Sequence, residues 1–226
     1  MSHVYEVEIK SLLGSKENAS GLISRLQEKF PQTKLENKEK QLNHYFVAPA
    51  DLSLLKKEIS VFLTQEQITS LDLIIKEGKK VSIRTRDTNG KVLFVIKASV
   101  GDDTSANGVK RIEFEAVIQR TLAELDGILL AAGCAYQAKW SREREVYQAG
   151  DINVCLDKNA GYGYVAEFEK ITTVEADLEK VRTELLSTME SLGAKELPQD
   201  RLERMFAHYN THWPEYYGTE KTFIIE

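Results

Sequence analysis

The chain is short of the residues that covalent or membrane-bound scaffolds need. Its 226 residues include two cysteines, Cys134 and Cys155, without CxxC or zinc-type spacing; that excludes a disulfide-stapled fold and fits a reducing compartment. Four prolines and thirteen glycines are too few and too scattered for a flexible linker or a low-complexity tail. No run of about twenty apolar residues is present to cross a bilayer, and the opening MSHVYEVEIKSLL carries acids and no secretory hydrophobic core. The expectation is a soluble, cytoplasmic protein with no membrane partner. Positive charge is in deficit too: Lys+Arg 30 against Asp+Glu 35 gives a net charge of -5 and a pI near 5.6. Such a chain has no global basic field to grip a nucleic-acid backbone, so DNA is not expected as a partner, although a local anion site stays open.

What is present is enough apolar material for one substantial core, and a single domain over 1–226 is expected. Strand-like patterns occur at 3–10, 43–48, 79–87, 91–100, 109–119, 137–148, 151–157 and 163–171, with turn sequences TNGK at 88–91 and KNAG at 158–161. Helical patterns fall at 18–29, 50–57, 64–71, 119–132, 174–192 and 200–209. Thr64 with Gln67, and Thr173 ahead of an acidic turn, are candidate helix N-caps. Leu178, Val181, Leu185, Met189 and Leu192 recur at helical spacing and give one long helix a stripe to press on a sheet. Together these patterns predict an α+β fold with a large, mostly antiparallel sheet.

The informative feature is charge at every second residue. Successive strand side chains face opposite ways, so alternate charges draw one charged row while their neighbours build a core. Glu6, Glu8 and Lys10 make such a row; so do Arg84 with Arg86, Arg111 with Glu113 and Glu115, Arg142 with Arg144, and Glu167 with Glu169. Lys97 sits in VLFVIKAS, where both faces are otherwise largely apolar. One such strand is a solvent face; several, carrying both signs within apolar strands, point to a shared polar cavity. Buried charges need partners. A polyphosphate supplies acceptors for Arg and Lys, and carboxylates become useful beside it when Mg2+ or Mn2+ lies between them and the phosphate oxygens.

In this ordered set the chain resembles the CYTH family, the triphosphate tunnel metalloenzymes. Glu6-Val7-Glu8-Ile9-Lys10 matches the family's ExExK motif, followed in order by Tyr45-Phe46, Arg84 to Arg86, Lys97, Glu113 to Glu115, the Arg142, Arg144 and Tyr147 cluster, Asp157, and Glu167 to Glu169. The resemblance covers about 3–171 as a core, with 172–226 as a helical accessory. It implies an eight-stranded antiparallel closed β-barrel, a tunnel for triphosphate, with flanking helices. Carried position by position, it implies Glu6, Glu8, Asp157, Glu167 and Glu169 as metal ligands for Mg2+ or Mn2+. Lys10, Arg84, Arg86, Lys97, Arg111, Arg142 and Arg144 become substrate contacts, although Arg111 could instead balance its acidic neighbours. Lys10, Glu113, Glu115 and Tyr147 become catalytic candidates, with Tyr147 at the opposite strand parity from Arg144.

The activity so implied is metal-dependent hydrolysis of inorganic tripolyphosphate or a small organic triphosphate such as thiamine triphosphate, by a monomer or homodimer. The alternatives are an adenylyl cyclase making cyclic AMP from ATP, removal of an RNA 5′-triphosphate, and a noncatalytic polyphosphate-binding module. Elsewhere the reading is structural. His44, His208 and His212 form no recognisable metal triad, Cys134 and Cys155 read as small core residues, GYG at 161–163 as a turn, and Trp213, Tyr216 and Tyr217 as a folded tail.

Overall fold

Alternation and helical stripes both find their partners in the computed structural model, which describes residues 5–99 and 111–226. Among the described residues the chain runs β1 (Tyr5–Gly14), α1 (Lys16–Lys29), β2 (Lys34–Val47), α2 (Ser53–Ser60), α3 (Gln65–Glu77), β3 (Lys79–Thr88), β4 (Lys91–Ser99), β5 (Arg111–Val117), α4 (Leu122–Ala131), β6 (Ala135–Ala149), β7 (Ile152–Asn159) and β8 (Gly163–Thr172). A short 3₁₀ turn at Glu175–Asp177 then leads into α5 (Leu178–Ser191) and α6 (Gln199–Tyr216). The strands form one eight-stranded sheet in the order β1-β8-β7-β6-β2-β3-β4-β5, and the pairings with a described register are antiparallel. The fold is α+β, as expected. The expected strand residues 3–4, 100 and 109–110 lie outside the described residues.

Several boundaries differ from the sequence pattern for physical reasons. β2 starts at Lys34 rather than 43, because its first five residues are exposed and have no apolar alternation to betray a strand. Thr173 is not a helix cap: the 3₁₀ turn intervenes, and α5 begins after Asp177. The cap at Thr64 does form a capping box with Gln67, and Thr121 forms a second with Glu124, so α4 starts at Leu122 instead of 119. α6 runs on to Tyr216, with Pro214 in its last turn. At the tip between β3 and β4, Asn89 and Gly90 both have positive φ, 52° and 87°, as a two-residue hairpin turn of the TNGK type requires. The GYG segment is a turn, and a crowded one. A Cβ on Gly163 would lie 2.4 Å from the Gly14 carbonyl oxygen, and one on Gly161 2.7 Å from the Tyr209 ring.

By backbone contacts the chain divides into a terminal unit, Met1–Glu39 with Ser141–Glu226, and a central unit, Lys40–Trp140. In the terminal unit one sheet face is apolar: Val7, Ile9, Val154, Leu156, Ala166 and Phe168 pack with Leu22 and Leu26 of α1 and Val181, Leu185 and Met189 of α5. The stripe on α5 therefore does press on strands. In the central unit Phe46, Ile83, Phe94, Ile96 and Phe114 pack with Leu55 and Ile59 of α2, Leu71 and Ile74 of α3, and Leu125 and Leu129 of α4. Each such buried side chain contributes roughly 1.5–3 kcal/mol of transfer free energy. In both units the helices cover one face, and the charged positions go to the other.

Candidate active site

In the terminal unit, register sorts the acids. Glu8 pairs with Glu169 and Lys10 with Glu167 across β1 and β8; Glu167 pairs with Cys155, and Asp157 with Arg144. Directly opposed residues share a face, so these side chains form one row. Oxygens of Glu8, Glu167 and Glu169 come within 4.8 Å of one another. Three like charges that close need a cation. Lys10 supplies one, pairing with Glu8 and lying 3.1 Å from Glu167. Burial would raise the Glu167 pKa, but Lys10, Arg144 and Arg142 outweigh it and hold the carboxylate well below its usual range. The donor set fits a hard divalent ion such as Mg2+ or Mn2+, since it offers converging carboxylate oxygens and no imidazole among them.

Asp157, expected as a metal ligand, is found on two arginines. It is 1% exposed, and both oxygens are occupied by arginines: Arg144 Nε donates at 2.7 Å and Nη2 at 2.6 Å, and Arg142 Nη1 at 2.8 Å. It lies outside the group of three converging acids and aims the two guanidinium groups instead. Burial disfavours the charge on Arg144, yet Asp157 and Glu167 together raise its pKa. Cys155 faces the same row, and burial pushes its thiol up, away from thiolate chemistry.

The central unit arranges its charges in pairs. Arg84 Nη1 donates to the Tyr45 hydroxyl at 2.9 Å and Nη2 to Glu113 at 3.2 Å. Arg86 Nε donates to Asn43 Oδ1 at 3.0 Å and Nη1 to Glu115 at 3.0 Å. Lys97 lies 2.6 Å from Glu113. Burial opposes the charge on Glu113, but Lys97 and Arg84 prevail and lower its pKa. Arg84 is raised: desolvation works against it, and Tyr45 and Glu113 more than compensate. Its Nε is buried with no hydrogen-bond acceptor among the described residues, a donor suited to an anion's oxygen.

Not every expected residue joins these rows. Tyr147 lies on the opposite face, as its parity requires, opposed to Val154 and packed in the apolar cluster; its hydroxyl donates to Glu145 at 2.7 Å. Burial and Glu145 push its pKa up, which disfavours proton transfer from it. Glu6 and Arg111 sit in β1 and β5, and their side chains lie outside the described residues. Two residues with no charge to announce them belong here as well: Gln41 and Asn43, 4% and 3% exposed, share the Tyr45 face of β2. The available signal was the polar alternation in QLNHYF.

Comparison with known proteins finds a family model, a curated relative and solved structures of similar fold. The CYTH domain model matches residues 70–201. A curated relative, the adenylate cyclase CyaB of Aeromonas hydrophila, is 27% identical over 146 residues, covering 63% of this chain and 71% of its own. Among solved structures, a protein of Pyrococcus horikoshii superposes with a TM-score of 0.59 at 20% identity, covering 88% of this chain and 99% of its own. A Hippeastrum protein with a dominant triphosphatase activity gives 0.51 at 15% identity, covering 90% and 96%. At these identities the solved structures speak for the fold alone. Among the described residues no helix is long and apolar enough to cross a membrane.

Proposed function

This chain belongs to the CYTH domain family, and we propose that it is a divalent-metal-dependent triphosphatase acting on inorganic tripolyphosphate or a small organic triphosphate. Members of the family are triphosphatases or cyclases that act on small triphosphates. The closed eight-stranded tunnel that the resemblance implies is part of this reading. One observation carries it: three carboxylates converge within 4.8 Å in the terminal unit; the central unit, taken by itself, holds Arg84, Arg86 and Lys97 each on a carboxylate.

In this mechanism Glu8, Glu167 and Glu169 hold Mg2+ or Mn2+, joined by Glu6. Held there, such an ion would neutralise phosphate oxygens and polarise the scissile anhydride. Arg84, Arg86 and Lys97 exchange their carboxylate partners for phosphate oxygens, which keeps the incoming charge compensated throughout. That exchange frees Glu113. Its pKa is low because Lys97 and Arg84 sit on it, so handing them to phosphate raises its basicity and lets it take a proton from water. A P–O bond to that water oxygen forms as the anhydride P–O bond breaks, leaving orthophosphate and the shortened product. Glu115 holds Arg86 in the substrate-free state and releases it to phosphate, while Lys10, Arg142 and Arg144 balance the charge around the acids. The role of Arg111 is substrate contact on this reading.

The cyclase alternative is favoured by the Aeromonas relative's name. Incubating the protein with Mg2+ or Mn2+ and tripolyphosphate, thiamine triphosphate, ATP or triphosphorylated RNA separates the readings. Free orthophosphate is the expected product; cyclic AMP with pyrophosphate would replace the hydrolase with a cyclase, and binding without turnover would leave a module.

A further inference from the structure

Behind the arginine pair, on the helix-covered face of the central unit, one carboxylate gathers three partners. Asp126 of α4 is 3% exposed. Its Oδ2 accepts the Tyr136 hydroxyl at 2.6 Å and meets His44 Nδ1 at 2.6 Å, and its Oδ1 accepts the Thr85 hydroxyl at 2.6 Å. Burial alone would raise its pKa; His44, Thr85 and Tyr136 outweigh burial and lower it. The neighbouring buried positions of α4 are Leu125 and Leu129. Against an apolar replacement, a buried ionic group is a poor source of stability. It is a good source of orientation, because every donor must meet one small acceptor.

The register shows what is oriented. His44 and Thr85 oppose each other across β2 and β3, between the pairs Asn43↔Arg86 and Tyr45↔Arg84. Strand side chains alternate, so the two residues held by Asp126 point away from the four that flank them. Those four are the arginines and their neutral holders, Tyr45 and Asn43. We propose that Asp126 is a positioning residue for substrate binding: by tying His44 to Thr85 it locks the strand segment on which Tyr45 and Asn43 aim the Arg84 and Arg86 forks. This rests on the reading of the arginine pair as the phosphate grip. Guanidinium forks bind by direction as well as charge, so a small change in strand twist weakens binding while the fold survives.

The experiment is calorimetric titration of tripolyphosphate into the wild type, Asp126→Asn, Thr85→Val and Thr85→Ser, each also in an Arg86→Ala background. Losing one hydrogen bond to the carboxylate should weaken binding roughly tenfold in Thr85→Val and at least as much in Asp126→Asn. Thr85→Ser, which keeps the hydroxyl, should restore it. In the Arg86→Ala background Thr85→Val should cost a clearly smaller factor than in the wild type, because one of the two forks being aimed is gone. Thr85→Val carries the test if Asp126→Asn does not fold. A wild type that does not bind tripolyphosphate overturns the functional reading and this inference with it. A wild type that binds, with Thr85→Val binding equally well or losing the same factor in both backgrounds, overturns this inference alone.

Discussion

The terminal and central units solve the same problem, charges on one face of a half-apolar sheet, in opposite ways. In the central unit each base meets a carboxylate of β5, and Glu113 and Glu115 stay about a third exposed, at 33% and 37%. In the terminal unit the arginines are locked onto a buried Asp157, and a second group of three acids crowds together. Loose pairs can trade partners when an anion arrives. The crowded acids share Lys10 and Arg144 among them, and three converging carboxylates still favour a further cation. On the proposed function, the exchangeable pairs take the phosphate and the crowded acids take the metal.

The largest expected effect would separate the two kinds of pair. Asp157→Asn leaves two guanidinium groups short of their buried counter-charge and should destabilise the protein by about 3–5 kcal/mol, while Glu113→Gln, at a partly exposed pair, should cost only about 0–1 kcal/mol. Denaturant unfolding of both variants checks this; equal losses would erase the distinction. Next, Glu8→Gln should lower metal-dependent phosphate release by roughly 10²–10³-fold at limiting metal, with circular dichroism unchanged. Arg84→Lys keeps the charge but loses the planar fork, and should weaken tripolyphosphate binding by roughly 10–100-fold without lowering the unfolding midpoint.

A pH experiment sharpens the comparison further. Glu167 and Glu113 both have folded-state pKa values below the ordinary 4.5. Their contribution is therefore complete above 4.5 and lost as pH falls through the lowered folded values. Thermal midpoints of the wild type should hold from neutrality down to that point and then drop, and Glu167→Gln should flatten the drop. An unchanged acid profile in Glu167→Gln would deny the coupling. The smallest effect is expected at Tyr147→Phe, across the sheet from the charged row: turnover within about twofold of the wild type, since only one hydrogen bond to a partly exposed acid is lost. A large loss of turnover there would return Tyr147 to the reaction.

The charged rows were legible because a strand's period of two needs no tertiary information: Arg84 and Arg86, or Glu167 and Glu169, share a face in any register. Parity likewise separated Tyr147 from Arg144 in advance. Parity names the face but not the neighbour, so the pattern did not show that Asp157 meets two arginines. The first half of β2 was silent, having no buried side to imprint a pattern. Asp126 was silent for another reason. A polar residue in ELDGILL reads as the wet side of a helix, and only packing against β3 shows that it faces inward.

Direct titration of Mn2+ into the substrate-free protein tests the division of labour itself. The account predicts binding by the wild type that is abolished in Glu8→Gln and Glu167→Gln and retained in Glu113→Gln and Glu115→Gln. Mn2+ binding that survives loss of Glu8 and Glu167 but disappears with Glu113 would contradict it.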